Sequence, residues 1–191
     1  PGNGDRATEV AIVLVEDGRV VDRFQSLMNA GVQIPAFITG LTGISNAMIA
    51  SAPAAAQVMV EASRFVGPAP LVAHNAAFDR RFWQAELAHA GLAAPQPFIC
   101  TLLLARRLYP QAPNHKLGSL VDYHGLPRTG QAHRALADAE MAAALLARMQ
   151  HDLRTRWGVA APDHDLLVQL QRCTKAAVPT LLAQLAAAAQ P

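Results

Sequence analysis

Two runs rich in β-branched residues near the start of the chain constrain its fold most. The runs are Ala7 to Glu16 and Arg19 to Leu27, and the pair Asp17-Gly18 joins them. An Asp-Gly pair between two such runs is the strongest local signal for a tight hairpin, because both central positions of that turn need a positive φ. The sequence therefore predicts two antiparallel strands.

Helical and strand-like segments alternate after this hairpin. Buried strands are predicted at 71–74 and 98–101, and helices at 36–41, 45–49, 53–66, 76–91, 102–108, 117–124 and 136–157. An Ala/Leu-rich helical tail is predicted at 163–189. This order predicts an α/β fold with a mixed sheet flanked by helices, in which sites gather at the carboxyl ends of strands. We expect a main domain at 1–157 and a helical C-terminal extension at 158–191.

The composition indicates a globular intracellular chain. Of 191 residues, 52% are hydrophobic and only 16% are charged, which excludes a disordered chain. No apolar run reaches the roughly 20 residues that cross a bilayer, and no export signal opens the chain. Cys100 and Cys173 lack metal-like spacing, which suits a reducing cytoplasm. We therefore expect a cytoplasmic protein without a membrane partner.

The segment from Gln131 to Met149 carries a carboxylate that faces a predicted core. In a helix that starts at Leu136, Asp138 lies on one stripe with Met141, Ala142, Leu145 and Met149. An acid on such a stripe must be paired, hydrogen-bonded or bound to a metal, because burial of a lone carboxylate is costly. The alternative is an acid in the fraying first turn, where the helix dipole favours it. His133 precedes this helix, and we expect it to point into the same space.

A second acid, Asp79, occupies the first turn of the predicted helix that leaves the strand at 71–74. Two such acids are hard oxygen ligands suited to Mg²⁺ or Mn²⁺. A neighbouring histidine can act as a base, since its ordinary pKa near 6.5 lets it accept a proton at neutral pH. Asp79, Asp138 and His133 together favour phosphodiester hydrolysis, in which two metal ions stabilise the attacking water and the leaving oxygen.

Five segments carry a resemblance to a known family. They are LTGIS at 41–45, VAHNAAFD at 72–79, CTLLLARRLYP at 100–110, HKLGSLVDYHGL at 115–126 and HRALADA at 133–139. In this order they resemble the DEDDh exonucleases, the 3′ to 5′ exonucleases of the ribonuclease-H-like superfamily typified by the proofreading subunit of bacterial DNA polymerase III. The resemblance runs from about residue 5 to 149, and it implies a ribonuclease-H-like sheet.

The resemblance assigns roles to the three polar residues. Asp79 and Asp138 resemble the metal-binding acids of the second and third family motifs, and His133 resembles the general base. The sister group of the family has a tyrosine four residues before the last aspartate, where this chain has Arg134. The implied cofactors are two Mg²⁺ or Mn²⁺ ions.

The resemblance also implies five substrate-binding residues around the terminal nucleotide: Leu41, Thr42, Ile44, Asn75 and Phe78. Leu41 and Ile44 could instead only anchor their loop. Phe78 could instead pack in the core.

The first family motif, an Asp-x-Glu on a central strand, is absent from the sequence. We expect it, with its strand, upstream of Pro1. Glu9 is the nearest acid that could replace it, but the resemblance implies a structural role for this residue.

The expected activity is removal of nucleotides from a nucleic-acid 3′ end, with DNA favoured over RNA. The alternatives are an RNA-trimming exonuclease of the same family, and a binding module that lacks the first motif and does not cut. The helical tail could cover the domain, pair two subunits or dock a polymerase. Several cations could line a phosphate path or only form solvated faces: Arg80, Arg81, Arg106, Arg107, Lys116, Arg128 and Arg134. Four histidines are expected at the surface: His89, His124, His151 and His164.

Overall fold

The structure, a computed structural model, describes residues 4–130 and 133–187. These residues form two compact units. The first unit comprises 4–69, 77–96, 129–130 and 133–140, and the second comprises 70–76, 97–128 and 141–187. Each unit combines one pair of strands with helices, which confirms the predicted α/β class.

A hairpin opens the first unit. Strands β1 (Glu9–Glu16) and β2 (Arg19–Leu27) pair antiparallel. Asp17 and Gly18 have φ values of 48° and 75°, the left-handed pair that a primed hairpin turn requires. The hairpin prediction is confirmed, and the register places Glu9 opposite Leu27 at the open end.

Four helices accompany this hairpin in sequence. They are α1 (Ala36–Thr42), α2 (Asn46–Ala50), α3 (Ala55–Val66) and α4 (Ala76–His89). Helix α3 packs its apolar face on the hairpin, and Val58, Met59 and Ala62 are buried there. A smaller cluster of Ile34, Ile44 and Ile49 packs against Leu27 and Ile38, and so attaches α1 and α2 to the end of β2.

The second unit contains the larger core. Strands β3 (Leu71–Ala73) and β4 (Phe98–Cys100) pair parallel. The helices are α5 (Thr101–Leu108), α6 (Leu117–Tyr123), α8 (His164–Arg172), α9 (Val178–Ala187) and the part of α7 (Ala135–Trp157) that follows residue 140. Fully buried residues of this core include Leu104, Leu120, Leu145, Met149 and Leu170.

The C-terminal tail differs from the single helix that was predicted. Helix α8 ends at Arg172, a 3₁₀ turn follows at Lys175–Ala177, and α9 begins at Val178. A continuous α-helix would press the ring of Pro179 against the carbonyl group of Lys175, four residues back. Apolar residues of both helices, such as Leu170 and Leu182, join the core of the second unit, so the described tail covers its own unit.

Two histidines expected at the surface are partly buried. His124 lies 4.2 Å from Tyr109 between ring centroids, and its Nε2 atom is buried without a hydrogen-bond partner among the described residues. The Nδ1 atom of His164 is buried in the same way. Aromatic packing explains His124, because an imidazole ring presents apolar faces as well as polar edges. His89 and His151 are exposed as predicted.

The strand β3 is less buried than its apolar sequence predicted. All three of its side chains, Leu71 to Ala73, keep intermediate exposure. Among residues 4–130 and 133–187, no helix has the length and apolar character that a bilayer crossing needs.

Candidate active site

Two carboxylates lie at helix starts in the first unit, and the charge of one affects the pKa of the other. Asp79 lies in the first turn of α4 and Asp138 in the first turn of α7. The pKa of Asp79 is raised to about 6, first because surrounding protein atoms displace water from the carboxylate, and second because the negative charge of Asp138 opposes its ionisation. The surface of Asp79 is nevertheless open to solvent. The carboxylate is therefore surrounded by protein atoms on several sides but remains accessible to solvent, as an acid that binds a ligand must be.

Asp138 is half-buried, and its neighbours pull its pKa in opposite directions. Burial raises the pKa, the imidazole and the backbone amide of His133 lower it, and the charge of Glu9 raises it again. The net pKa lies above the ordinary value. The stripe predicted beyond Asp138 is confirmed, because all four of its apolar members are buried: Met141, Ala142, Leu145 and Met149.

His133 lies in an exposed turn immediately before α7. Its φ value is 64°, a left-handed conformation in which histidine is more frequent than most residues but which still costs free energy. Its effects on the pKa of Asp138 place it beside that carboxylate. His133 is thus one of the groups that affect the charge of Asp138, and its role as a base stays a prediction.

Glu9 has no lone pair to spare for a metal ion. Its side chain is 5% exposed and accepts hydrogen bonds from Arg134 at 2.7 and 3.2 Å, from the amide of Ala135 at 3.0 Å and from Gln25 at 2.8 Å. Burial raises the pKa of Glu9, but these hydrogen bonds and the charge of Arg134 hold it below the ordinary value. The contacts agree with the structural role that was expected for Glu9.

The predicted substrate residues around α1 divide into exposed and buried ones. Leu41 is 47% exposed, whereas Ile44 is only 1% exposed and packs with Ile34 and Ile49. The hydroxyl group of Thr42 donates to the carbonyl oxygen of Ile38 and accepts from the amide of Ile44. Ile44 and Thr42 thus anchor this loop in the described conformation, and Leu41 is the residue free to meet a ligand.

Asn75 and Phe78 flank the start of α4. Phe78 is 54% exposed and packs against Phe82, with ring centroids 4.9 Å apart, so it is not a core residue. Asn75 is exposed with a φ of 64°, and it belongs to the second unit. Such a left-handed residue turns the chain from β3 into the helix that carries Asp79.

Asp79 and Asp138 are chemically suited to a divalent ion. Carboxylate oxygens are the ligands that Mg²⁺ and Mn²⁺ prefer, and a cation would favour the ionised form of Asp79, which burial and the charge of Asp138 disfavour. Within 4–130 and 133–187, no three His, Cys, Asp or Glu side chains are placed to hold a metal ion together. The pair therefore fits a magnesium-type site, in which water and substrate phosphate oxygens supply the other ligands.

The cations proposed for a phosphate path have different surroundings. Arg134 is bound to Glu9, Arg128 to Asp122, and Arg107 to backbone carbonyl oxygens. Arg80, Arg81, Arg106 and Lys116 are exposed. Exposed cations can meet phosphate groups without first breaking an ion pair.

Sequence analysis missed two buried polar contacts. Glu86 is 2% exposed and binds both Arg6 and the amide of Ala7. In the second unit, His74 lies 2.9 Å from both the Thr101 hydroxyl and the carbonyl oxygen of His115, and burial lowers its pKa. The only sequence signal was a polar residue beside apolar neighbours, which does not identify the partner.

Comparison with known proteins gives the family. A family model described as Exonuclease (RNase_T) matches residues 1–146. The DNA polymerase III PolC-type of Bacillus cereus is 38% identical over 150 residues, which cover 78% of this chain and 10% of that protein. The 3′-5′ exonuclease DinG of Bacillus subtilis is 36% identical over 155 residues, which cover 81% of this chain and 16% of that protein. The chain thus spans a small part of these curated relatives.

Solved structures support the same assignment. Exonuclease X in complex with 5′ overhanging duplex DNA matches with a TM-score of 0.66 and 28% identity, covering 86% of this chain and 90% of that chain. The nuclease domain of 3′hExo, a DEDDh family member bound to rAMP, matches with a TM-score of 0.68 and 20% identity, covering 77% and 82%. The second likeness shows the fold alone, and it confirms the predicted ribonuclease-H-like architecture. The chain belongs to the exonuclease family that the matching family model describes.

Proposed function

We propose that this chain hydrolyses phosphodiester bonds at a nucleic-acid 3′ end and releases nucleoside monophosphates. The observation that carries the proposal is a set of three groups: Asp79 is exposed and Asp138 partly exposed, the charge of Asp138 raises the pKa of Asp79, and His133 lowers the pKa of Asp138. An accessible acid whose pKa is raised partly by a second acid is typical of a functional, cation-binding site. Membership of an exonuclease family supports the same chemistry.

The two carboxylates would hold Mg²⁺ or Mn²⁺, and by the family resemblance two such ions. When bound, a divalent ion lowers the pKa of a coordinated water and offsets negative charge on the scissile phosphate. Asp79 and Asp138 would orient that centre from the first turns of two helices. His133 would take the proton from the attacking water, because its imidazole is exposed and lies next to Asp138.

The terminal base would meet the exposed apolar side chains of the first unit. Phe78 offers an aromatic face and Leu41 an aliphatic one, and bases stack on such surfaces without sequence preference. DNA is the proposed substrate, supported by the PolC-type relatives and by the likeness to Exonuclease X bound to duplex DNA. A polymerase subunit or a second copy of the chain as partner through the C-terminal helices is a further proposal, which light scattering of the purified protein can test.

The direct test uses single-stranded DNA and RNA of the same sequence, labelled at the 5′ end, with Mg²⁺ or Mn²⁺. We expect wild-type protein to shorten the DNA from its 3′ end and to act more slowly on the RNA. His133→Ala should lower kcat by roughly 10² to 10⁴, the usual contribution of a positioned base. Asp79→Ala should remove metal-dependent cleavage. His151→Ala is the matched control, because His151 is an exposed histidine of α7 outside the site.

Three outcomes would correct the proposal. Binding of DNA without cleavage would favour the non-catalytic alternative. Faster cleavage of RNA would favour the RNA-trimming alternative. Full turnover by His133→Ala would exclude the histidine from proton transfer.

A further inference from the structure

We infer that Glu9 and Arg134 are positioning residues, which hold His133 in the conformation that proton transfer needs. This inference rests on the proposed function, because it takes His133 as the base. The hydrogen bonds from Arg134 and from the Ala135 amide to the Glu9 carboxylate are called the Glu9 clamp.

The Glu9 clamp has the geometry of a rigid link. Nε and Nη2 of Arg134 donate to the two carboxylate oxygens at 3.2 and 2.7 Å, and the amide of Ala135 donates at 3.0 Å. Because two parallel bonds fix the plane of the guanidinium group as well as its distance, they restrict orientation more than a single contact does. Gln25 donates a fourth hydrogen bond at 2.8 Å, so the carboxylate itself is held from the strand side.

The clamp acts on the two residues that directly follow His133. It binds the side chain of Arg134 and the backbone of Ala135, the first residue of α7. Left-handed backbone at a residue other than glycine persists only where the surroundings fix it, and His133 has a φ of 64°. The contacts of residues 134 and 135 supply such a restraint. Loss of the clamp would let the turn relax and let the imidazole drift.

A positioning role makes a prediction that a purely structural role does not. A misplacement of about 1 Å in a catalytic group can lower the rate by roughly 10²-fold. If Glu9 and Arg134 act only through His133, their loss should matter when the imidazole is present and not when it is absent. Residues that act as a unit show this non-additive behaviour.

The chain provides its own control for loss of stability. In the same unit, Nε and Nη2 of Arg6 donate to both oxygens of Glu86 at 2.9 and 2.8 Å, and the amide of Ala7 donates to Glu86 at 2.9 Å. This Glu86 clamp repeats the arrangement of the Glu9 clamp, with a carboxylate that is equally buried. Along the chain, neither Arg6 nor Ala7 is a neighbour of Asp79, His133 or Asp138.

The experiment compares Arg134→Lys and Glu9→Gln with Arg6→Lys and Glu86→Gln in the full-length protein. Lysine keeps the charge of arginine but cannot bridge both carboxylate oxygens with a planar group. We expect kcat on labelled DNA to fall about 10-fold to 100-fold in the Glu9 clamp variants. KM should change by less than about 3-fold, and the Glu86 clamp variants should keep wild-type kcat at temperatures where they are folded.

Three further measurements separate a positioning role from a structural one. Arg134→Lys is also made in the His133→Ala background, where we expect no additional loss of kcat. Binding of Mn²⁺ is measured by calorimetry, because α7 also carries Asp138, and we expect unchanged affinity. Exchange of the Ala135 amide with deuterium should become faster when the clamp is loosened.

The inference would be overturned if Arg134→Lys lowered kcat as much in the His133→Ala background as in wild type. It would also be overturned if the Glu86 clamp variants lost as much kcat as the Glu9 clamp variants, or if weaker Mn²⁺ binding accounted for the lower kcat of the Glu9 clamp variants. Unchanged exchange at Ala135 in Arg134→Lys would also overturn it. Absence of any nuclease activity in the wild-type protein would refute the proposed function instead. The two failures are therefore distinguishable.

Discussion

The ionised side chain of Asp79 should destabilise the metal-free protein. The substitution Asp79→Asn should therefore raise its free energy of unfolding. The folded carboxyl group has a pKa of about 6, whereas an ordinary aspartate has a value of 3.8. A pKa difference of about two between the folded and unfolded states corresponds to a loss of ~3 kcal/mol in the free energy of unfolding, if the site is fully shielded from solvent. Because Asp79 is exposed, solvent screening lowers the expected cost to about 1 kcal/mol.

The sign of the pH dependence follows from the raised pKa. Between pH 4 and about 6 the folded protein holds a proton on Asp79 that the unfolded chain has released. The effect of Asp79 on the free energy of unfolding is therefore least unfavourable below pH 4. It becomes more unfavourable as the pH rises from 4 to about 6, and it stays constant above that. The asparagine variant has no such dependence.

The assay is urea denaturation in EDTA at pH 7.5 and at pH 4. At pH 7.5, Asp79→Asn should be more stable than wild type by about 1 kcal/mol, or about 2–4 °C in Tm for a chain of this size. At pH 4 the difference should nearly vanish. Added Mg²⁺ should stabilise wild type and not the variant, because a ligand that binds only the folded state adds to its stability.

Asp165→Asn is the matched control, because Asp165 is an exposed acid in the first turn of α8. Removal of an ordinary first-turn acid weakens its interaction with the helix dipole, so this variant should lose up to about 0.5 kcal/mol. The two substitutions should thus have opposite signs at pH 7.5. A less stable Asp79→Asn protein in EDTA would refute the conclusion that burial and the charge of Asp138 disfavour the ionised form of Asp79 in the folded protein.

Two other predictions follow from single contacts. Phe78→Ala should raise KM for single-stranded DNA about 10-fold with little change in kcat, because one stacked base contributes roughly 1–3 kcal/mol to binding. Tyr123→Ala, which removes an exposed aromatic side chain of the second unit, serves as the control. An unchanged KM in Phe78→Ala would exclude Phe78 from base binding. Tyr109→Phe should lower the free energy of unfolding by about 1–3 kcal/mol, measured in urea, because the buried Asp152 loses a hydroxyl donor at 3.0 Å. Unchanged stability would mean that water replaces the lost donor.

Local patterns were enough to predict the hairpin and the long helix. Asp17 and Gly18 encode their own turn, and the apolar stripe beyond Asp138 encodes the buried face of α7. Both signals lie within a few residues of the structure they specify, so they need no knowledge of tertiary contacts.

Three other features depend on tertiary contacts, which local sequence patterns do not reveal. For Arg134 the sequence left open a phosphate contact or a solvated face, because its partner Glu9 is 125 residues away. For Ile44 the sequence left open a ligand contact or a loop anchor, and its packing with Ile34 favours the anchor. The helical tail was predicted as one piece because Ala and Leu favour helix throughout, and the effect of Pro179 was underestimated.

The interruption between α8 and α9 also matters for handling the protein. Lys175 lies in this exposed segment, where trypsin can reach the backbone, and α9 beyond it places Val178 and Leu182 over the second unit. After a nick at Lys175, apolar contacts such as those of Val178 and Leu182 would hold α9 on the second unit. A shortened expression product that ends before Val178 would expose the hydrophobic surface that α9 covers, and it would aggregate. An expression product should therefore include α9.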